Sequence, residues 1–124
     1  MRSFLRTSLI LALVASCGGD DADALGVGAQ CTSSDDCDDG STQMCLPFKG
    51  GYCGLTGCAH DTDCPADAAC IAHDDGVNYC FRTCATKADC NANRDAENEA
   101  NCSSTAVFVD GDAGRKACTP PSGS

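Results

Sequence analysis

Apolar residues form one continuous run near the amino terminus and only short groups after it. The run, residues 8–15 (SLILALVA), follows the basic residues Arg2 and Arg6. Its eight residues are too few to span a bilayer, which takes about 20. A basic start followed by a short apolar run is typical of a secretory signal, so residues 1–16 are predicted to be a signal peptide.

The segment that follows is polar and irregular. Residues 18–30, GGDDADALGVGAQ, show neither the periodicity of an amphipathic helix nor the alternation of a strand. We therefore predict a flexible acidic linker over residues 17–30, with a typical span of roughly 20 Å.

Beyond residue 31, short apolar segments alternate with turn sequences. The turn sequences Lys49–Gly51, Asp75–Gly76 and Asp110–Gly114 lie between apolar or β-branched residues. Asp-Gly in this context is typical of a tight β-hairpin, because both central positions of a type I′ turn need positive φ. The pattern predicts three small hairpins separated by loops.

Cysteine spacing divides the same region into repeats. Twelve of the 13 cysteines form three groups of four, and each group opens with the phrase Cys-x4-Asp-Cys. The predicted units are module 1 (residues 31–57), module 2 (58–83) and module 3 (84–118), followed by a tail (119–124). An even number of cysteines at this density is typical of an oxidised, secreted chain. The predicted fold class is a small disulfide-rich fold, mostly loops with short β-hairpins, in three tandem four-cysteine modules.

The aspartate of each phrase has a structural interpretation. Asp36, Asp63 and Asp89 each precede the second cysteine of their module. Because an Asp side chain can accept backbone N–H bonds, these residues are predicted to fix the turn that leads into that cysteine.

The third and fourth cysteines of each module lie on the two strands of its predicted hairpin. Across a two-residue turn, facing residues have position numbers with an odd sum, whereas the third and fourth cysteines have even sums in all three modules. Since side chains alternate along a strand, these cysteines are predicted to point to opposite faces and not to bond to each other. A turn of odd length would reverse the argument. Two pairings per module remain open.

Residues 14–17 (VASC) resemble a bacterial lipobox, in which a small residue precedes a cysteine that is lipidated. The resemblance implies that Cys17 is the lipidated first residue of the mature chain, and two acyl chains suffice for stable anchoring. Cleavage after Ala24 is the alternative, although it places three aspartates before the cut. The residue after the lipidated position is Gly18 and not Asp, which resembles the signal of lipoproteins that are sorted to the outer membrane. The predicted location is the bacterial cell envelope, at the outer membrane or cell surface rather than the inner membrane.

The segment from Cys58 to Cys70 resembles half of a whey acidic protein (WAP) domain. It reads Cys-Ala-His-Asp-Thr-Asp-Cys-Pro, with five residues between Cys64 and Cys70, but the chain lacks the adjacent Cys-Cys pair of that family. The family joins the first of these cysteines to the third and the second to a later one. By repetition, the resemblance implies bonds of Cys31 with Cys45, Cys37 with Cys53, Cys58 with Cys70, Cys64 with Cys80, Cys84 with Cys102, and Cys90 with Cys118. The spacing is also similar to the amino-terminal region of Dickkopf proteins and to cysteine-rich lipoproteins of predatory soil bacteria.

Charge restricts the partners of the mature chain. Removal of Arg2 and Arg6 with the signal leaves six basic and 18 acidic residues, a net charge of −12. Such a surface repels nucleic acid and disfavours a phosphate-binding role. The predicted partners are the membrane, through the lipid anchor, and a protein or glycan ligand.

Metal-ligating patterns are weak. The gap between the first and second cysteines exceeds the spacing of ordinary zinc sites, so disulfides are predicted instead of metal thiolates. Two acidic segments, residues 35–39 and Asp110–Asp112, offer oxygen ligands of the kind that calcium takes. The second lacks the closing glutamate and the properly placed glycine of a calcium loop, so solvated turns are favoured. No metal or cofactor is predicted.

Catalytic patterns are weak as well. His60 and His73 lie beside aspartates in polar stretches and outside any catalytic motif, so they are predicted to be exposed turn residues. Asn101–Ser103 matches a glycosylation sequon, but its middle residue is a cysteine and the match is interpreted as accidental. The expected function is a membrane-anchored, non-enzymatic binding or adhesion module. The alternatives are a WAP-like protease inhibitor that uses the loop Leu46–Gly51, and a passive structural protein of the envelope.

Overall fold

The computed structural model describes residues 26–37 and 42–121. The predicted signal peptide, Cys17, residues 18–25 of the linker, Asp38, Asp39 and residues 122–124 lie outside this part. The described strands are β1 (Met44–Leu46), β2 (Tyr52–Thr56), β3 (Ala68–Ala72), β4 (Asn78–Cys84), β5 (Asn101–Ser103), β6 (Val107–Phe108) and β7 (Lys116–Thr119). The helical turns are 3-10 turns at Ser34–Asp36, Asp61–Asp63 and Ala96–Asn98, and the α-helical turn α1 at Lys87–Cys90. The predicted class, a small disulfide-rich fold of short strands and loops, is confirmed.

The three modules meet at strand β4. Its antiparallel neighbours are β3 from module 2, β2 from module 1 and β7 from module 3. The modules therefore share one sheet and are not three separate units in series. Module 3 also departs from the predicted hairpin, because β5 pairs with β7 while β6, between them in sequence, pairs with β3 of module 2.

The hairpin turns of modules 1 and 2 are longer than the Asp-Gly pattern indicates. Leu46 lies opposite Tyr52 and Ala72 lies opposite Asn78, so each turn contains five residues. The register places the third and fourth cysteines directly opposite each other in all three modules. The prediction that they point to opposite faces is wrong, because it assumed a turn of even length.

Six disulfides hold the turns against these strands. In each module the first cysteine bonds to the third and the second bonds to the fourth, which is the pairing that the WAP resemblance implied. The bonds are Cys31–Cys45 and Cys37–Cys53, Cys58–Cys70 and Cys64–Cys80, and Cys84–Cys102 and Cys90–Cys118. Modules 1 and 2 thus each tie one helical turn to two neighbouring strands. In module 3, Cys84 lies in β4, so the two bonds tie β4 to β5 and α1 to β7.

The predicted linker is wrong at its carboxyl end, because residues 26–30 pack into the fold. Gly28 N donates to the carbonyl of Cys53 at 2.8 Å, and Cys53 N donates to the carbonyl of Ala29 at 2.9 Å. Val27 is only 2% exposed. These peptide groups of β2 face away from β1 and would otherwise lack partners, which explains why an apolar, glycine-rich segment is held there. At the other end, Thr119 of the predicted tail belongs to β7.

Aromatic residues of β4 form the centre of the core. Tyr79 and Phe81 are two positions apart, so their side chains share one face of the strand. Their rings stack with centroids 5.4 Å apart. Phe48, from the turn after β1, and Tyr52, from β2, pack against Phe81 with centroids 5.9 and 5.0 Å away. Module 1 therefore contributes two rings to a core built on module 2.

The hydroxyl group of Tyr52 joins all three modules. It accepts a hydrogen bond from Arg82 N at 3.0 Å and donates one to the carbonyl of Cys118 at 2.8 Å. Burial raises the pKa of Tyr52 well above its ordinary value. The phenol therefore stays protonated and keeps its donor role.

Arg94 makes a second connection, between the turn of module 1 and the loop after α1. Its buried guanidinium donates to the carbonyls of Gly51 at 2.7 Å, Lys49 at 2.9 Å and Asn98 at 2.7 Å. Its Cζ also lies 5.7 Å from the ring centroid of Tyr52. Burial lowers the pKa of Arg94. Carbonyl dipoles and an aromatic face thus compensate a buried cation.

The predicted role of the three repeated aspartates is confirmed. Asp36 accepts backbone hydrogen bonds from Thr32 at 2.9 Å and Ser33 at 3.1 Å. Asp63 and Asp89 accept the equivalent pairs of bonds, all at 2.9 to 3.0 Å. These backbone N–H groups favour the ionised carboxylate and lower the pKa of each of the three aspartates. The same hydrogen bonds from backbone N–H groups to an aspartate therefore shape the turn before the second cysteine in every module.

This lowered pKa predicts an acid-sensitive contribution to stability. The stabilisation from Asp63 is present above its unfolded pKa of about 4 and is lost as the pH falls through its lower folded value. We expect the Asp63→Asn variant to have a lower melting temperature than the wild type at neutral pH. The difference between the two melting temperatures should approach zero in acid. Thermal melts across this pH range measure it. Asp67→Asn is the matched control, because the Asp67 side chain is exposed and caps no turn; an equal pH trend in that variant would contradict the prediction.

Candidate binding cleft

A cleft of about 480 Å³ opens at the rim of the sheet. It lies between the end of β3 with the following turn, the connection from β5 to β6, and the segment after β7. Its polar lining residues are His73, Asp74, Asp75, Asn101, Ser103, Thr105 and Thr119. Its apolar lining residues are Phe48, Ile71, Ala72, Ala106, Val107, Pro120 and Pro121. The volume falls within the range of small-ligand sites, about 300–1,000 Å³.

The β3–β4 turn forms one wall, and hydrogen bonds fix its shape. His73 N donates to the carbonyl of Val77 at 3.0 Å, and Gly76, at a φ of +83°, closes the turn. The Asp75 carboxylate accepts hydrogen bonds from Val77 N at 2.9 Å and from the Tyr79 hydroxyl at 2.6 Å. The Tyr79 hydroxyl bond lowers the pKa of Asp75, while burial and that carboxylate raise the pKa of Tyr79 to about 12.

His73 lies at the base of this wall and is half-buried. Its ring meets the rings of Phe48, Tyr79 and Phe81 edge-on, with centroids 5.4 to 5.7 Å apart. The prediction of an exposed turn residue is therefore wrong for His73, because the five-residue turn folds the ring back onto the core. His60 is exposed as predicted, with 69% of its side chain accessible.

The charge of the cleft is one-sided. Asp74 and Asp75 line it, whereas no lysine or arginine of the described residues does. A carboxylate rim without a cation disfavours anionic ligands such as phosphate or sulfate esters. The cleft is therefore suited to neutral or basic groups.

A separate polar cluster links module 3 to the helical turn of module 2. The Asp110 carboxylate accepts hydrogen bonds from Asp61 N at 2.7 Å and from His60 Nδ1 at 3.0 Å. Arg115 donates to the Asp61 carboxylate at 3.0 Å and stacks over the ring of Phe108 at 4.6 Å. Asp110 raises the pKa of His60, and the backbone bond from Asp61 lowers the pKa of Asp110. The cluster connects elements far apart in sequence.

These contacts also occupy the segment considered for calcium. The Asp110 carboxylate is engaged as described, and the Arg115 guanidinium donates to the carbonyl of Gly111 at 2.7 Å. Asp112 Oδ1 accepts a bond from Gly114 N at 3.3 Å. A calcium loop directs its carboxylates and carbonyls at the ion. Here a guanidinium already donates to one of those carbonyls, so Asp110–Asp112 is a turn held by hydrogen bonds and by the contact of Asp110 with His60. In the other acidic segment, residues 35–39, the Asp36 carboxylate accepts backbone hydrogen bonds from its own turn.

The loop suggested for protease inhibition is packed instead of projecting. Leu46 is 1% exposed, and Phe48 packs against the core. Arg94 holds the carbonyls of Lys49 and Gly51. The expectation of an exposed rigid loop at Leu46–Gly51 is wrong, because its apolar residues are needed in the core.

Several residues that organise the fold carry no sequence signal of their role. Nothing in the pattern around Arg94 distinguishes it from a surface arginine, because its partners are carbonyls of distant residues. Tyr52 and Tyr79 both precede the fourth cysteine of their module. That shared position is the one signal that could have identified them as core residues.

A scan against protein-family models, a search of curated proteins and a search of solved structures each found no match. Neither described range contains a helix long and apolar enough to cross a bilayer.

Proposed function

We propose that this chain is a membrane-anchored, non-enzymatic binding protein of the bacterial cell envelope, and that it binds a neutral glycan in the cleft beside β3. In this proposal Cys17 carries the lipid anchor and the described fold carries the ligand. The observation on which the proposal rests is the preformed cleft on a sheet held by disulfides.

Rigidity of the lining supports a binding role. Cys70, next to Ile71, is bonded to Cys58, and Cys102, between Asn101 and Ser103, is bonded to Cys84. Cys118, next to Thr119, is bonded to Cys90. Covalent bonds therefore hold all three segments that form the cleft. Little conformational entropy remains to be lost when a ligand binds to such a site.

The chemistry of the lining supports a neutral glycan in particular. Asp74 and Asn101 are exposed and offer a carboxylate and an amide, and Ser103 and Thr105 offer hydroxyl groups. Sugar hydroxyl groups pair with such groups, while the apolar C–H faces of a sugar ring pack on surfaces such as the Phe48 ring. The absence of a basic residue among the described lining residues makes an anionic glycan a poorer fit.

A pair of valines allows a matched test of the cleft. Val107 lines the cleft and is 60% exposed, whereas Val109 lies outside it and is 39% exposed. We expect the lipoprotein, purified in detergent and applied to an array of neutral and sulfated oligosaccharides, to retain neutral ones. Val107→Arg fills the cleft and should weaken that binding about tenfold or more, while Val109→Arg should leave it unchanged.

Three outcomes of the array contradict the proposal. Equal loss in both valine variants would show that the cleft is not the site. Preference for sulfated oligosaccharides would contradict the charge argument. Retention of no glycan at all would favour a passive envelope protein or a protein ligand.

The anchor is tested on the same preparation by intact mass. We expect a mature amino terminus at Cys17 with added acyl mass. An unmodified chain that begins after Ala24 would contradict the anchor and leave the cleft unaffected.

A further inference from the structure

Three of the four cysteine sulfurs in each module lie close together, and the fourth is bonded to one of them. The Sγ atoms of the first, second and fourth cysteines lie within 4.8 Å of one another. These groups are Cys31, Cys37 and Cys53; Cys58, Cys64 and Cys80; and Cys84, Cys90 and Cys118. The third cysteine of each module is bonded to the first, so its sulfur adjoins the group.

This arrangement is close to that of a structural zinc site. Zn–S bonds of about 2.3 Å in a tetrahedral array place the four thiolates about 3.8 Å apart. Three of the four sulfurs of a module therefore already stand near the separation that a single ion requires. On reduction, the bonded second and fourth sulfurs must move apart, and the sulfur of the third cysteine, which lies outside the group, must turn towards the other three. The long gap between the first and second cysteines is no obstacle, because the helical turn between them brings both sulfurs to one place.

The clusters are largely buried. Six of the cysteines are fully buried, namely Cys37, Cys53, Cys70, Cys80, Cys90 and Cys118, while Cys45, Cys64, Cys84 and Cys102 are partly exposed. Four protein ligands leave no coordination position for water or substrate, which is the character of a structural site and not of a catalytic one.

We propose that the reduced chain binds one Zn²⁺ at each of the three clusters, and that the ions then hold the turns and strands that disulfides hold in the oxidised chain. Each disulfide takes two electrons and two protons from a dithiol reductant, which becomes a cyclic disulfide, and yields two thiols. Each cluster then releases up to four protons to solvent as four sulfurs donate electron pairs to the ion. The inference is independent of the glycan site.

Local charge distinguishes module 3 from module 1. A four-thiolate zinc site carries a net charge of −2, so neighbouring cations favour it. Cys84 lies directly opposite Lys116 in the β4–β7 register, and Lys87 lies in α1 before Cys90. The turn of module 3 also contains one aspartate, Asp89, and Lys87 is paired with Glu99. The turn of module 1 contains two aspartates, Asp35 and Asp36, and no basic residue. We therefore expect the module 3 cluster to fill first.

The test uses the full chain carrying Cys17→Ser, so that the twelve module cysteines are its only thiols. The chain is reduced with a dithiol, which is removed anaerobically, and titrated with Co²⁺ and then Zn²⁺. We expect the Co²⁺–thiolate absorption to saturate at three equivalents, one for each cluster. Zn²⁺ should displace Co²⁺, restore the far-ultraviolet circular dichroism of the oxidised chain and protect the thiols from alkylation.

A paired substitution separates specific sites from scattered thiol binding. Cys90→Ser with Cys118→Ser should lower the stoichiometry by one equivalent and remove the tightest site. If this variant fails to fold, alkylation mapping of the parent chain, read module by module, gives the same information. Two results would overturn the proposal. One is Co²⁺ binding that saturates at a number other than three equivalents, and the other is three equivalents bound without recovery of the circular dichroism spectrum of the oxidised chain.

Discussion

Full reduction of the chain in the presence of a metal chelator is expected to unfold it. The six disulfides close segments of 12 to 28 residues, and a disulfide of this kind contributes about 2–4 kcal/mol. Small domains are stable by only about 5–15 kcal/mol, so the loss of all six exceeds the stability available. Loss of the strand signal in far-ultraviolet circular dichroism and of cooperative urea unfolding measures the effect.

The physical basis of this expectation is the small size of the apolar core. Outside the cysteines, the fully buried large side chains of the described residues are Tyr52, Phe81, Leu46 and Ile71. The oxidised chain with chelator alone is the control and should remain folded. A reduced, chelated chain that still unfolds cooperatively in urea would show that the sheet holds without its covalent bonds.

Removal of the Arg94 guanidinium is expected to destabilise the fold strongly. Arg94→Ala leaves the carbonyls of Gly51, Lys49 and Asn98 without their donor. These three contacts are part-buried, and a lost hydrogen bond to a charged group costs about 1.5–3 kcal/mol. Because the freed carbonyls are partly open to water, we expect a total loss of about 3 kcal/mol in the free energy of unfolding. Urea denaturation of the oxidised protein measures it.

Two further variants test the reason for that loss. Arg94→Lys keeps the charge but not the planar fork of donors, so it should recover only a small part of the stability. Lys87→Ala removes an exposed ion pair with Glu99 and should change stability little, because exposed pairs contribute little. Equal stability of the Arg94→Ala and Lys87→Ala variants would contradict the assigned role of Arg94.

Local features of the fold could be predicted because their causes are local. The aspartate before each second cysteine reaches N–H groups three and four residues earlier, for example Asp63 with His60 and Ala59. Such a contact needs no information from elsewhere in the chain. The length of the turn between β3 and β4 was predicted wrongly. Asp75-Gly76 fits a two-residue turn, but packing of His73 against the core favours a turn of five residues.

The cleft could not be predicted for the opposite reason. Its lining comes from all three modules: Phe48 from module 1, Asp74 from module 2, and Thr105 from module 3. No spacing in the sequence relates these residues. They come together only because β4 pairs with strands of every module.

The sequence by itself determined that the chain has three four-cysteine modules, each with an aspartate that accepts hydrogen bonds from its own turn. Both features depend on residues close together in the chain, so the order of residues is enough to predict them. Only the tertiary structure decided that the modules share one sheet, that residues 26–30 belong to it, and that Arg94 and Tyr52 join its parts. These contacts satisfy backbone groups far away in the chain. Nearly every residue carries the same backbone N–H and carbonyl groups. The sequence therefore does not show which distant group will form a hydrogen bond with them.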